Sequence, residues 1–144
     1  MKKIIKMIGV MLVVAPILFV VSVPIVNDYT ASRVVKELEK IPIPKKTEYL
    51  ESISKAGKLA GNGNGMQYLG VLLIKSELSV EELSTYYSKF NQECVVEEQF
   101  GQNIAFSEHV ELAFDTEVSG SGYYLVYRWG NGKEPFASLD IRGH

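Results

Sequence analysis

The chain has 144 residues and a mass of 16.1 kDa, room for one small domain rather than two. Fifteen basic against seventeen acidic side chains leave a net charge of −2, far from the basic character of a nucleic-acid binder. A single cysteine supplies neither an internal disulfide nor a cysteine-rich metal site.

Lys2, Lys3 and Lys6 open the chain, and no charge follows from Met7 to Asn27. Met7–Val26 is a run of 20 residues softened only by Gly9, Ala15, Pro16, Ser22 and Pro24. About 20 apolar residues in a helix cross a hydrocarbon layer of roughly 30 Å. Residues 1–27 therefore read as a membrane anchor, touching the lipid bilayer through residues 7–26. The alternative is a cleaved signal peptide and a secreted product, with Val20-Val21-Ser22 or Thr30-Ala31-Ser32 as the cleavage site. The tight lysine group ahead of the span favours a cytoplasmic N-terminus. Residues 28–144 carry 12 basic and 17 acidic side chains, a net charge of −5, which suits an extracytoplasmic domain held off anionic lipid.

Residues 28–46 read as a juxtamembrane helix and linker. Val34, Val35, Leu38 and Ile41 recur at helical spacing, and Pro42 and Pro44 then end the helix. Residues 47–144 form the expected domain. Strands are predicted over 47–59 and 66–74. Between them, two Asn-Gly pairs in Gly61-Asn62-Gly63-Asn64-Gly65 suit a tight hairpin turn with positive backbone dihedrals. That loop lacks the Lys-Ser/Thr of a phosphate-binding loop, and no cofactor is expected.

Ser79-Val80-Glu81-Glu82 has the spacing of a capping box and starts a helix running to about Asn91, with Val80, Leu83, Tyr87 and Phe90 on one stripe. Further strands are predicted over 93–99, 110–114 and 123–129, with Phe136 and Leu139 covering an edge of the core. The fold class expected is α+β: an N-terminal transmembrane helix, then a small antiparallel sheet in the order β-β-α-β-β-β with one helix packed on a face.

Catalytic patterns are weak. Ser107, His109 and Asp115 make a triad only on paper, without a nucleophile elbow. Cys94 lies between carboxylates and valines and reads as a buried small hydrophobe. No zinc or calcium spacing occurs, and Asp140 and His144 in the tail do not make one. The one candidate binding face is the aromatic strand: Tyr123, Tyr124, Tyr127, Arg128 and Trp129. The chain has the general look of a small bacterial envelope protein, an impression that assigns no functional residue. The reading is a non-catalytic binding or accessory protein of the cell envelope, with a protein or envelope component as partner. The alternatives are a small tethered hydrolase using carboxylates or His109, and a structural subunit of a membrane assembly.

Overall fold

The computed structural model describes residues 2–144. Met1, at the head of the expected anchor, lies outside the described residues. The first element is a single helix, α1 (Lys2–Glu39), 38 residues long, or about 57 Å at 1.5 Å per residue. Pro16 and Pro24 lie inside it without ending it. From Met7 to Val21 every side chain is exposed, and the helix from Lys6 to Glu39 is long and apolar enough to cross a membrane. A core helix of a soluble domain would instead be covered by its own protein.

Beyond Val21 the helix changes character. Val23, Asn27, Ala31, Val34, Val35 and Leu38 are buried, spaced three to four apart on one face. They pack on the sheet, with Val35, Leu38 and Ile41 in its helix-side core. The juxtamembrane helix read from the sequence is thus continuous with α1 and packs on the sheet. The expected boundary at residue 27 falls within that packed face.

Four strands follow: β1 (Thr47–Gly57), β2 (Gln67–Ser76), β3 (Val95–Glu98) and β4 (Tyr123–Trp129), with a second helix, α2 (Val80–Ser88), between β2 and β3. All neighbours are antiparallel and the sheet order is β1-β2-β4-β3. Two corrections to the sequence reading follow. The sheet has four strands, not five, because Val110–Phe114 forms no strand: its one ladder contact is an isolated bridge between Asn103 and Ala113. Two helices, not one, cover the same face, since the C-terminal half of α1 joins α2 there.

The opposite face is covered by the irregular segment 99–122. Ile104, Leu112, Phe114 and Val118 pack there on Leu69, Val71, Leu73 and Leu125. The alternation that suggests a strand at 110–114 is this inward anchoring, with no partner strand to complete a ladder. Backbone bonds Ile104 N to Leu112 O (2.8 Å) and Phe114 N to Gln102 O (3.0 Å) fold the segment on itself. The Glu51 carboxylate accepts from the Asp115 and Thr116 amides at 3.1 and 2.9 Å and fastens it to β1. Burial pushes the Glu51 carboxyl up, but those amides and the Thr116 hydroxyl together hold it below its usual value.

β1 carries a bulge between Tyr49 and Glu51. It lets Leu50 and Ile53, three apart, pack on the same core, which accounts for the imperfect alternation in its sequence. The Ser79 capping box forms as expected: Ser79 Oγ accepts from Glu82 N at 3.3 Å and Glu82 Oε2 accepts from Ser79 N at 2.9 Å. α2 stops at Ser88, however, so Phe90 lies past its end and is exposed rather than on the buried stripe. In the glycine loop, Gly61 and Gly65 take the positive dihedrals, not the asparagines. The loop is held by Gln67, whose Oε1 accepts from Leu59 N and Ala60 N at 2.7 and 2.9 Å. It is a pinned nine-residue connection, not a tight two-residue hairpin.

Candidate functional site

The densest polar arrangement lies where α1 leaves its exposed apolar stretch. Asn27 is the one polar side chain in the buried stripe of α1. Its Nδ2 donates to Asp140 Oδ2 at 2.9 Å and to Phe136 O at 3.3 Å, and its Oδ1 accepts from Tyr68 Oη at 2.6 Å. Asp140, itself buried, accepts from the Arg142 guanidinium at 3.0 and 2.7 Å and from Arg142 N at 3.1 Å. Arg142 continues to Asp28 Oδ1 at 2.8 Å and to the Pro24 carbonyl at 3.1 Å.

The Arg142 guanidinium, with help from the Asn27 amide and against the effect of burial, holds the Asp140 carboxyl at about 2. Burial first, then the Glu134 and Asp140 charges, push the Tyr68 hydroxyl up. Each polar group of the cluster has a partner, as buried polar groups require. Chemically it is a clasp between the chain's last residues and α1, with no group left over to act as acid or base. Sequence reasoning considers Asp140 only as a metal ligand and passes over Asn27, whose one local signal is an amide inside an otherwise apolar helical stripe.

The five residues of the aromatic strand lie on both sides of β4, as their alternation implies. Tyr124 and Arg128 point to the helix-covered side of β4, whereas Tyr123, Tyr127 and Trp129 belong to the side covered by residues 99–122. Arg128 is clamped between Glu37 (2.6 Å) and Glu93 (3.3 Å). Tyr127 Oη donates to Glu97 at 2.8 Å, and burial, followed by that carboxylate, pushes its hydroxyl up. Phe106 packs on Tyr127 at 4.5 Å and on Trp129 at 6.0 Å. Lys75 Nζ lies 5.0 Å from the Tyr123 ring centre. These contacts are those of an inner strand.

No match to this chain is found among protein-family models, curated proteins or solved structures.

The catalytic candidates are each engaged elsewhere. Ser107 Oγ donates to the Val110 carbonyl, and the His109 Nε2 lies 2.7 Å from the Gly61 carbonyl. Neither bonds to the other or to Asp115, so the nucleophile–base contact that such chemistry requires is missing. Cys94 is half-buried against the helix-side core. Burial raises its thiol, with Arg128 opposing and Glu93 assisting. Among the described residues, no group of three or more His, Cys, Asp or Glu could hold a metal ion. A depression of about 440 Å³ between the glycine loop and Trp129, with Gln67 and Tyr68 in its wall, has no charged lining.

Proposed function

We propose that the chain is a single-pass membrane-anchored accessory protein, non-catalytic, whose domain is mounted rigidly on the outer end of its own membrane helix. The observation that carries this reading is the continuity of α1. One helix is exposed and apolar from Met7 to Val21 and then becomes part of the domain's buried core from Val23 onward. A domain on a flexible linker samples many heights and tilts; one built on the span holds both fixed. The three opening lysines and the net charge of −5 beyond residue 27 support a cytoplasmic N-terminus and an outer domain. Cleavage after Ser32 would take Val23, Asn27 and Ala31 out of the packed face, which favours the uncleaved form over secretion from that site.

The domain's task, on this reading, is to engage a protein or another envelope component. Phe90 and Phe100 support it: both rings are exposed, 52% and 75%, and aromatic side chains of this kind anchor protein contacts. The test uses the full chain in its native membranes. Alkaline washing should leave it in the membrane fraction, and protease added from outside should digest the domain. A photo-crosslinking residue in place of Phe90 or Phe100 should give a discrete adduct. Release into the aqueous fraction would overturn the anchored reading, and the lack of any adduct at both positions would overturn the binding role.

A further inference from the structure

We propose that the C-terminal segment Pro135–Ile141 is a second membrane contact, with Leu139 and Ile141 seated in the boundary between lipid headgroups and acyl chains beside α1. The proposal rests on the reading of α1 as a span.

Its height follows from three contacts. The Phe136 ring meets the Phe19 ring edge to face, with centres 5.7 Å apart, and Phe19 belongs to the exposed apolar run. Arg142 bonds to the Pro24 carbonyl and to Asp28 one turn later. Asn27 bonds to the Phe136 carbonyl. The segment therefore lies alongside residues 19–28 of the helix. On the open side of that same stretch, Ile25 is 63% exposed. The exposed run Met7–Val21 covers only about 22 Å at 1.5 Å per residue, short of the roughly 30 Å of hydrocarbon. Lipid must then reach Ile25, and at that level the opposite side of α1 is occupied by the segment.

The segment is made for such a place. Leu139 is 54% exposed and Ile141 is 84% exposed, yet the backbone holding them is fixed. Lys58 N donates to Arg142 O and Gly65 N to Gly143 O, each at 2.7 Å. Gly143 is buried against Met66, where a Cβ would come within 2.9 Å. The only charge between Pro135 and Ile141 is Asp140, which is buried and paired with Arg142. Two large apolar side chains are thus held outward from an ordered, locally neutral backbone. An amphipathic element of this kind settles about 5–10 Å into the headgroup–acyl boundary.

The test uses the full chain in phosphatidylcholine vesicles, in a Cys94→Ser background, with a fluorophore on a single cysteine. The positions are Leu139→Cys, Ile141→Cys, Val13→Cys in the span, and Phe100→Cys beside the Gln99–Tyr123 pairing at the far end of the sheet. Labels at 139 and 141 should be quenched severalfold more than the label at 100 by lipid carrying a shallow nitroxide, and shielded from aqueous iodide, while the label at 13 is read with lipid carrying a deep acyl-chain nitroxide. Ile141→Trp in a Trp129→Phe background, quenched by brominated acyl chains, repeats the reading without a dye. If 139 and 141 behave like 100 while 13 is quenched, the span stands and the second contact is rejected. If 13 also escapes quenching, the span fails and the second contact with it. Shielding from iodide without quenching by lipid means that protein covers the segment, which likewise rejects the proposal.

Discussion

Gly70 of the central strand lies against the backbone of Val35 in α1: a Cβ on the glycine would fall 2.6 Å from the Val35 amide nitrogen and 2.9 Å from its Cα. Helix and sheet meet there main chain to main chain, and neither side has a flexible group that can give way. Any side chain at position 70 must lift the helix off β2. Overpacking of this kind costs about 1–3 kcal/mol, and with backbone on both sides Gly70→Ala should fall at the upper end. Gly63→Ala, at a loop position with nothing within 4 Å, should leave stability nearly unchanged. Urea unfolding of the two variants in detergent micelles makes the comparison, and equal midpoints would show that α1 does not bear on the sheet.

The Asp140–Arg142 pair makes stability depend on acid. Folded Asp140 titrates at about 2, below the value of about 3.9 for an unfolded aspartate. The unfolded chain then binds the extra proton between these values, so this contribution is complete above about pH 4 and is lost as the pH falls toward 2. A buried carboxylate held this far below its unfolded value contributes about 2–3 kcal/mol at neutral pH. Asp140→Asn should be less stable than the parent at pH 7, and the difference should shrink at pH 2.5. A difference that stays constant across that range would show that the carboxylate charge is not what the clasp uses.

Elements governed by neighbouring residues are legible in the sequence; those governed by distant partners are not. The Ser79 box, the strand at 123–129 and the apolar run at 7–26 each carry their signal within one turn or one strand length, and the structure has all three. Leu112 and Phe114 alternate like a strand, but what decides their conformation is the sheet face beneath them, supplied by Leu69, Val71 and Leu73 about 40 positions earlier and by Leu125 after them. The stripe from Val23 to Leu38 announces a helix without saying what it packs on. The clasp is least legible, because Asn27 and Asp140 are 113 residues apart, and an asparagine or an aspartate alone gives no sign of the other. The aromatic strand shows the same limit: its alternation is legible, but an inner strand covered on both faces gives the same pattern as one with an open face.

Cys94 should be a slow thiol. Burial raises it above an ordinary cysteine, and Arg128 recovers only part of that effect while Glu93 adds to it. The thiolate is the reacting form, so alkylation by iodoacetamide at neutral pH should lag behind that of a small free thiol. The rate profile should be displaced toward higher pH. A rate at or above that of the free thiol would mark Cys94 as activated and reopen a chemical role for the α2–β3 end.

The boundary between anchor and domain is open to direct measurement. The sequence suggests that removing residues 1–27 releases a folded soluble domain. The structure puts Val23 and Asn27 inside the packed face, and Asn27 supplies bonds to Tyr68, Asp140 and the Phe136 carbonyl. A chain of residues 21–144 keeps these groups; a chain of residues 28–144 loses them and leaves the Tyr68 hydroxyl without its acceptor, while Asp140 Oδ2 keeps its bond from Arg142. A buried group left unpaired costs about 1–3 kcal/mol, and the lost valine adds to this. The shorter chain should therefore be less stable by about 3–5 kcal/mol, with a lower urea midpoint and faster proteolysis at the glycine loop and the C-terminus. Restoring Asn27 by starting at residue 26 should recover part of the difference, and Asn27→Ala in the longer chain should reproduce part of the loss. If the 28–144 chain unfolds at the same midpoint as the 21–144 chain, α1 below Asp28 contributes nothing to the domain, and the fixed height proposed for it has no physical basis.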